Sequence, residues 1–512
     1  MRRAYQVAAV RSAERALMAA LPDGTLMRRA AAGLASVCGS LLAGYPGQVY
    51  GARVVVLAGS GDNGGDALYA GALLARRGAA VTAIAAGPKV HAGGTAELRA
   101  AGGRVTGALA GAGDLMAGAD LILDGLLGIG GRGGLREPFA GLAAAAEQAR
   151  QRSATVVAVD LPSGIDADTG AVDGPAVRAD VTVTFGVIKP GLLIDPGAGH
   201  AGAVELIDIG LGPHLTGEPA ALAPQRDDIG ALLPRPGPES DKYRRGVVGV
   251  LAGSDRFAGA AVLATGGAVR GGAGMVRVVT GTVPAAAIRQ AWPEAVLTVY
   301  PDGGDWDLIG SVGRVQAWAA GPGMGTGPDS AERLAAVLGT DLPVLVDADG
   351  LTILSQLQEL LPRTAPTLVT PHAGELARLL GTDPAAVEAA RLEHARRAAE
   401  QLGVTVLLKG STTVVASPGD PTVLVNLTGT SWLATAGTGD VLSGLAGSLL
   451  AQGLDQAWAA VAAAYLHGLA ARLAAAGTSG GTGEAPIGAH DVITALPDAI
   501  RSVDGWEGGF AR

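Results

Sequence analysis

The sequence predicts an α/β protein of two domains, and three observations carry that reading. Short apolar runs recur along the 512 residues, Ala-rich stretches of helical period separate them, and a Pro- and Gly-rich segment interrupts the pattern near the middle. Apolar strands alternating with helices imply mainly parallel sheets covered on both faces. In the first half the strand candidates are Arg53–Ala58, Ala80–Ala85, Leu121–Asp124, Thr155–Asp160, Val181–Phe185 and Val204–Ile207, with helical runs at Ala67–Arg77 and Phe139–Arg150. In the second half they are Val247–Leu251, Met275–Thr280, Ala295–Val299, Val315–Ala319, Val344–Val346, Thr367–Val369 and Val404–Leu408. The halves do not align as a simple repeat. We expect a doubly wound, Rossmann-like domain over 1–212, a linker over 213–225 and a second α/β domain over 226–512.

Composition narrows the function classes. The net charge of −9 argues against a nucleic-acid surface and leaves no basic tract for an anionic membrane. Aromatic residues make up only 3%, so the cores must be built from Ala, Val, Leu and Ile. The 81 glycines and 28 prolines lie between apolar segments, which indicates tight turns and not disorder. A single cysteine, Cys38, excludes an internal disulfide framework, and its apolar helical setting predicts a buried side chain. Arg2, Arg3, Arg11, Glu14 and Arg15 break up any signal-peptide core. The apolar stretch Ala457–Ala471 contains His467 and falls short of a ~20-residue membrane span, so a buried helix is expected. The expectation is a soluble cytoplasmic homo-oligomer whose partners are small-molecule substrates, with neither nucleic acid nor membrane.

Chemistry concentrates in two glycine-rich turns. Gly59-Ser60-Gly61-Asp62-Asn63-Gly64-Gly65-Asp66 follows the apolar run Val54–Ala58, and Ala436-Gly437-Thr438-Gly439-Asp440 leads into Val441-Leu442-Ser443. Small residues delivering the chain to a helix start present unpaired N–H groups and the positive end of the helix dipole, which suits phosphates. The first turn matches G-x-G-x-x-G, yet no carboxylate ends the following strand, where Ala85-Ala86-Gly87-Pro88-Lys89 stands, so an ordinary dinucleotide fold site is not expected. No Walker lysine follows either turn. Asn63, Asp124 and Ser163 instead offer a carbonyl, a carboxylate and a hydroxyl, an all-oxygen set for a hard cation. With one carboxylate, a monovalent ion fits better than a divalent one. Asp160, opening Asp160-Leu161-Pro162-Ser163-Gly164-Ile165-Asp166, is a candidate general base or ligand acceptor. Taken singly, Asp124 and Asp160 could equally cap turns after strands.

These three motifs, with Asp124-Gly125-Leu126-Leu127-Gly128 between the outer two, resemble the NAD(P)H-hydrate epimerase family over about residues 1–212. The resemblance implies K+ bound by Asn63, Asp124 and Ser163. It also implies contacts to the hydrated nucleotide from Asp62, Asn63, Gly64, Gly65 and Asp66, from Gly128, Ile129, Gly130, Gly131, Arg132, Gly133 and Gly134, and from Asp160. Three positions depart from the family pattern: Asp62 replaces a usual Asn, Ala67 a usual Gly and Ile129 a usual Thr. A carboxylate at 62 opposes a phosphate there.

In the second turn, backbone N–H groups can neutralise a transferring phosphoryl group while Asp440 accepts a hydroxyl proton. A capped helix with Asp440 in its first turn is the bland alternative. Upstream, Lys409-Gly410-Ser411-Thr412-Thr413 ends a strand in a small polar turn suited to an adenine nucleotide. His372, between Pro371 and Gly374-Glu375, sits in a loop after a strand; the seven histidines show no zinc-like spacing. Together with Asp241-Lys242-Tyr243-Arg244-Arg245-Gly246, Gly272-Ala273-Gly274-Met275 and Gly321-Pro322-Gly323-Met324-Gly325, these motifs resemble the ribokinase-like superfamily. Within it the likeness, over about 226–500, is to ADP/ATP-dependent NAD(P)H-hydrate dehydratases. That resemblance implies contacts to the hydrated nucleotide from Ala273, Gly325, His372 and Asp440, and contacts to ADP from Lys409, Gly410, Ser411, Thr412, Thr413 and Gly439. It further implies Mg2+ with ADP or ATP as co-substrate, Asp440 as catalytic base, and Asp160 as its counterpart in the first domain. The combined expectation is a bifunctional repair enzyme, isomerase and lyase. The rival is a small-molecule kinase whose N-terminal half binds nucleotide without catalysis.

Overall fold

The computed structural model describes residues 1–44, 47–131, 133–300, 307–477 and 483–503. The chain divides into two compact units, Arg3–Ala221 and Leu222–Arg512, with Met1–Arg2 grouped in the second. Both are α/β. Strands in chain order are β1 (Arg2–Ala4), β2 (Arg53–Ala58), β3 (Ala80–Ala85), β4 (Arg104–Thr106), β5 (Leu121–Gly125), β6 (Thr155–Val159), β7 (Val181–Phe185) and β8 (Ala203–Ile207). They continue as β9 (Ala221–Ala223), β10 (Val247–Leu251), β11 (Met275–Thr280), β12 (Val296–Val299), β13 (Ala317–Ala320), β14 (Val344–Val346), β15 (Thr367–Val369), β16 (Thr405–Leu408), β17 (Thr413–Ala416) and β18 (Val423–Asn426).

The N-terminal unit holds a seven-stranded parallel sheet of order β4-β3-β2-β5-β6-β7-β8. Its central strands are buried on both faces, which is why they read as unbroken runs such as Val54–Ala58. The order reverses between β2 and β5, and a crevice opens beyond the carboxyl ends of strands at such a reversal. The glycine turn after β2 and Asp124 in β5 therefore meet there. The helix after β2 runs Asp62–Arg76, five residues earlier than the Ala67 start expected from apolar period. The glycine turn is itself the first helical turn: Gly64 packs against the Gly59 backbone, where a Cβ would overlap it. Cys38 is fully buried in the helix Thr25–Gly44, and burial raises its thiol pKa to about 12.

The C-terminal unit carries a sheet of order β9-β18-β17-β16-β15-β14-β13-β10-β11-β12. β16 through β12 are parallel; β17 and β18 add an antiparallel hairpin that the sequence reading left as turn and loop. The division between units falls at 221/222, and β9 occupies part of the segment expected to be a linker. Helix Gln456–Ala476 is longer than the Ala457–Ala471 run predicted and reaches 21 residues. Two thirds of its apolar window is buried, chiefly against β16–β18 and neighbouring helices. Helix Thr438–Ala451 packs along Ala258–Arg270 through small residues: Gly267 and Gly444 each face backbone of the opposite helix, where a Cβ would clash.

Candidate functional site

In the N-terminal unit, Asp124 is fully buried at the end of β5. Its Oδ1 accepts from Ser163 Oγ at 2.7 Å and Leu126 N at 3.3 Å, and its Oδ2 accepts from Ser163 N at 2.8 Å. Asn63 Nδ2 donates to the Leu127 carbonyl at 3.0 Å, and Ser163 Oγ lies 3.1 Å from that same oxygen. Asn63 in the first turn of its helix, Asp124 in β5 and Ser163 in the loop after β6 are thus brought together around Leu127. Burial lifts the Asp124 pKa to about 6 against the pull of those hydrogen bonds. Among the described residues no lysine, arginine or histidine forms an ion pair with Asp124. A buried carboxylate beside carbonyl and hydroxyl oxygens, without a cationic side chain, fits a bound monovalent cation.

Asp160 follows β6 with φ +64°, a left-handed backbone that an aspartate holds only when its surroundings fix it. Its Oδ1 accepts from Lys189 Nζ at 2.5 Å, Thr184 Oγ1 at 3.1 Å and Phe185 N at 3.2 Å. Lys189 is 1% exposed and also donates to Thr184 Oγ1 and the Phe185 carbonyl. Sequence reasoning missed this lysine; the only signal was one charge after the buried run Val181–Ile188.

Asp160 lines a cavity of about 790 Å3 with Gly61, Asp62, Asn63, Asp66 and Gly128–Gly131. Arg11, Glu14 and Arg15 of the helix Val7–Met18 reach the same space and were not anticipated. Burial raises the Glu14 pKa, with Lys189 opposing and Asp160 adding to the rise. Asp66 is pushed well above the usual carboxylate range by burial and then by Asp160, Asp62 and Glu14, and its Oδ1 has no hydrogen-bond partner.

Not every expected residue of this half reaches the cavity. Gly64 packs on Gly59, and Gly65 packs on Met27 and His91. Gly133 and Gly134 lie past the lining loop, with Gly134 against Asp173 and Gly174. Gly64, Gly65 and Gly134 serve close approach of backbone and side chains, and Gly133 a left-handed backbone of φ +71°. Arg132 lies outside the described residues. Ile129 lines the cavity.

In the C-terminal unit the second turn caps helix Thr438–Ala451 through Gly437, whose φ of +87° explains the glycine. Asp440 is in that first turn. Lys409, ending β16, donates to Asp347 Oδ1 at 2.7 Å and stands 3.6 Å from Glu375 Oε2. Burial opposes the Lys409 charge, but Asp347 and Glu375 outweigh it and the pKa is raised. A Cβ at Gly439 would come 3.6 Å from Lys409 Nζ, so the glycine leaves the ammonium accessible. Asp440 is lifted to about pH 7 by burial and then by Asp347, with Lys409 pulling down and Asp349 and Glu375 adding to the rise.

His372 is the N-cap of helix Ala373–Leu380. Its Nδ1 accepts from Gly374 N at 3.0 Å, and Glu375 Oε2 accepts from His372 N at 2.8 Å. The ring is 57% exposed, with Nε2 left toward solvent 3.5 Å from Glu375 Oε1. Gly325 N donates to Asp349 Oδ2 at 2.9 Å, which ties the Gly321–Gly325 loop to the residue after Asp347-Ala348. The turn Lys409–Thr413 is clamped from beneath by Arg391, 2% exposed, which donates to the carbonyls of Leu408, Lys409 and Thr412. Gly410 is required there, because a Cβ would overlap the Arg391 guanidinium. The structure therefore brings Gly325, His372, the Lys409 turn, Gly439 and Asp440 to the carboxyl edge of one sheet.

Ala273 is a correction. It precedes β11, at the amino edge of the sheet, and neighbouring Gly271 accepts from Gln452 Nε2 at 3.0 Å. Gln452 caps the far end of the helix that starts at Thr438, so Ala273 lies roughly 18 Å along that axis from Asp440, at ~1.5 Å per residue. It cannot share a ligand contact with Asp440 as expected. The opposite end of its helix, at Ala260 and Phe257, is the end that packs on Gly323.

Two family models match the chain. Residues 248–490 match the family described as NAD(P)H-hydrate dehydratase, and residues 23–191 match the YjeF-related protein N-terminus. The bifunctional NAD(P)H-hydrate repair enzyme Nnr of Mycobacterium leprae is 46% identical over 505 residues, covering 98% of this chain and 100% of its own. The enzyme of the same name from Mycobacterium tuberculosis is 48% identical over 462 residues, covering 90% and 91%. Among solved structures, the ADP/ATP-dependent NAD(P)H-hydrate dehydratase of Bacillus subtilis co-crystallised with ATP/Mg2+ is 33% identical. It covers 55% of this chain and 97% of its own, with a TM-score of 0.48.

Proposed function

The chain belongs to the bifunctional NAD(P)H-hydrate repair enzymes, and from that premise we propose that it restores hydrated NADH and NADPH through two activities. The N-terminal unit interconverts the R and S hydrates. The C-terminal unit dehydrates the S form at the expense of ADP or ATP. The observation that carries the reading is the convergence of Lys409, Gly439 and Asp440 at one sheet edge, with a carboxyl poised near neutrality at a helix start.

In the dehydratase site, Asp440 takes the proton of the ring hydroxyl while the terminal phosphoryl group of ADP or ATP passes to that oxygen. The C–O bond then breaks, phosphate leaves with the electron pair, and loss of the adjacent ring proton restores the double bond of the reduced nicotinamide. The helix start at Thr438–Asp440 and Lys409 Nζ offset the phosphoryl charge. Gly325 and His372 orient the hydrate; Lys409, Gly410, Ser411, Thr412, Thr413 and Gly439 cradle the nucleotide. Mg2+ would accompany the nucleotide and supply positive charge against its phosphates.

In the epimerase site, Asp160 takes the hydroxyl proton as the carbon–oxygen bond becomes a carbonyl and the ring C–N bond breaks, its electron pair going to the ring nitrogen. When that nitrogen attacks the other face of the carbonyl the C–N bond re-forms, the oxygen takes the proton back from Asp160, and the carbon is inverted. Lys189 and the backbone around Phe185 hold that carboxylate in place. Asn63, Asp124 and Ser163 would bind K+, supplying the positive charge that Asp124 otherwise lacks.

The test is incubation of the purified chain with mixed R and S hydrates plus ADP or ATP, following absorbance of the reduced nicotinamide. Complete recovery requires both activities; recovery stopping at the S fraction removes the epimerase assignment. A phosphorylated product without absorbance recovery would establish the kinase rival.

A further inference from the structure

Three carboxylates surround a single ammonium in the C-terminal site. Lys409 Nζ donates to Asp347 Oδ1 at 2.7 Å and stands 3.6 Å from Glu375 Oε2, and Asp440 lies across Gly439 from it. Asp347 is the most buried of the three, at 1% exposed, and is held from its other side by Ser443 Oγ, which donates to Oδ2 at 2.5 Å. Ser443 is itself fully buried on the helix that carries Asp440, one turn further along, so the two side chains share a face. The residue after β14 thus presents a buried carboxylate. It is tied to the base-bearing helix and to the ammonium.

We propose that Asp347 is a positioning residue: tethered by Ser443, it keeps Lys409 engaged away from Asp440 and so leaves Asp440 free to take the hydroxyl proton. The inference rests on the dehydratase reading of this site. A lysine released from Asp347 would move to the next carboxylate. Paired with Lys409, Asp440 would titrate lower and take the hydroxyl proton less readily. The groups facing Asp440 are Asp347, Lys409, Asp349 and Glu375, and the loss of Asp347 removes the largest electrostatic contribution that raises its pKa. Both consequences, a freed lysine and a missing negative charge, lower the basicity of Asp440.

The experiment is the pH dependence of kcat for ADP-driven dehydration of the S hydrate, compared between the wild-type chain and Asp347→Asn. Asparagine matches the shape and can keep the Ser443 contact, so folding is conserved, while its neutral amide no longer holds the Lys409 ammonium as the carboxylate did. The wild-type profile should show an acid limb near pH 7. In Asp347→Asn the limb should move down by about one unit, the shift an aspartate undergoes beside a cation. Plateau kcat should fall at least about tenfold, within the range for an impaired general base, with KM for the hydrate unchanged. Ser443→Ala, which loosens the tether alone, should shift the limb in the same direction by less, and it carries the test if the asparagine variant does not fold. A limb that stays in place, or moves up, in folded variants overturns the inference. A wild-type chain that shows no ADP- or ATP-dependent recovery overturns the dehydratase reading itself, which is a separate result.

Discussion

Replacing Asp160 with asparagine strikes catalysis and stability together, because Asp160 is also the only carboxylate paired with Lys189 among the described residues. The substitution keeps an acceptor for Thr184 Oγ1 and Phe185 N but leaves an ammonium 1% exposed without its counter-charge. Breaking a buried pair by removing one partner costs about 3–5 kcal/mol. Lys189 retains bonds to Thr184 Oγ1 and the Phe185 carbonyl, which places this case at the lower end, about 3 kcal/mol. For a unit of this size that is a fall in melting temperature of roughly 6–12 °C. Differential scanning calorimetry on the full chain, with R-to-S conversion followed by chiral separation, reads both effects. Asp160→Asn should lose stability and epimerisation together. Asp160→Asn with Lys189→Met should regain most of the stability, since neither charge remains, and none of the activity. A double variant that epimerises, or a single variant as stable as wild type, would refute the reasoning.

Gly410→Ala pushes the Arg391 guanidinium off the carbonyls of Leu408, Lys409 and Thr412, and should raise KM for ADP by about tenfold, or ~1.4 kcal/mol, without changing KM for the hydrate. K+ at a hundredfold excess over its Kd should stabilise the chain by ~2.7 kcal/mol relative to tetramethylammonium in thermal melts. Asp124→Asn should abolish that difference; a persisting K+ effect places the ion elsewhere. Cys38, buried with its thiol pKa raised to about 12, should resist a thiol-specific reagent at pH 8 until the chain is unfolded, and rapid labelling of native protein would contradict the described core.

Much of the fold is legible in the sequence because parallel strands buried on both faces cannot be anything but apolar runs, as Leu121–Asp124 and Val181–Phe185 are. Short strands such as Arg104–Thr106 and the Thr413–Ala416 hairpin arm were missed, since three or four residues carry no measurable period. Local motifs that the structure brings together, with Asn63, Asp124 and Ser163 in one half and Lys409 and Asp440 in the other, were equally visible. What stayed hidden are the partners, because Lys409 meets Asp347 across 62 positions and Lys189 meets Asp160 across 29. No local pattern records such pairings. Ala273 was misplaced for a different reason, one the sequence could have corrected. A residue just before a strand sits at the amino edge of a parallel sheet, opposite the edge where ligands bind.

The two glycine turns show why one local device can serve two chemistries. Each delivers a helix start with an acidic residue in its first turn, Asp62 in one and Asp440 in the other. The difference lies in the charges that long-range folding brings beside them. Around the first turn the carboxylates Glu14, Asp62, Asp66 and Asp160 gather with Arg11, Arg15 and Lys189, and burial keeps Asp66 and Glu14 toward their neutral forms. That setting suits a reaction that moves a proton back and forth without net charge transfer. Around the second, Lys409 faces an open glycine, where an incoming phosphoryl group needs a cation. Exchanging Gly439 for alanine tests that distinction: the added Cβ would stand 3.6 Å from Lys409 Nζ and 3.9 Å from Asp347 Oδ2, in the path of the phosphoryl group. Dehydration should fall by about two orders of magnitude, the loss that a ~1 Å misplacement of the reacting groups causes, while epimerisation by the same chain is unchanged. Equal loss of both activities would mean that the substitution acts through folding and not through the phosphoryl site.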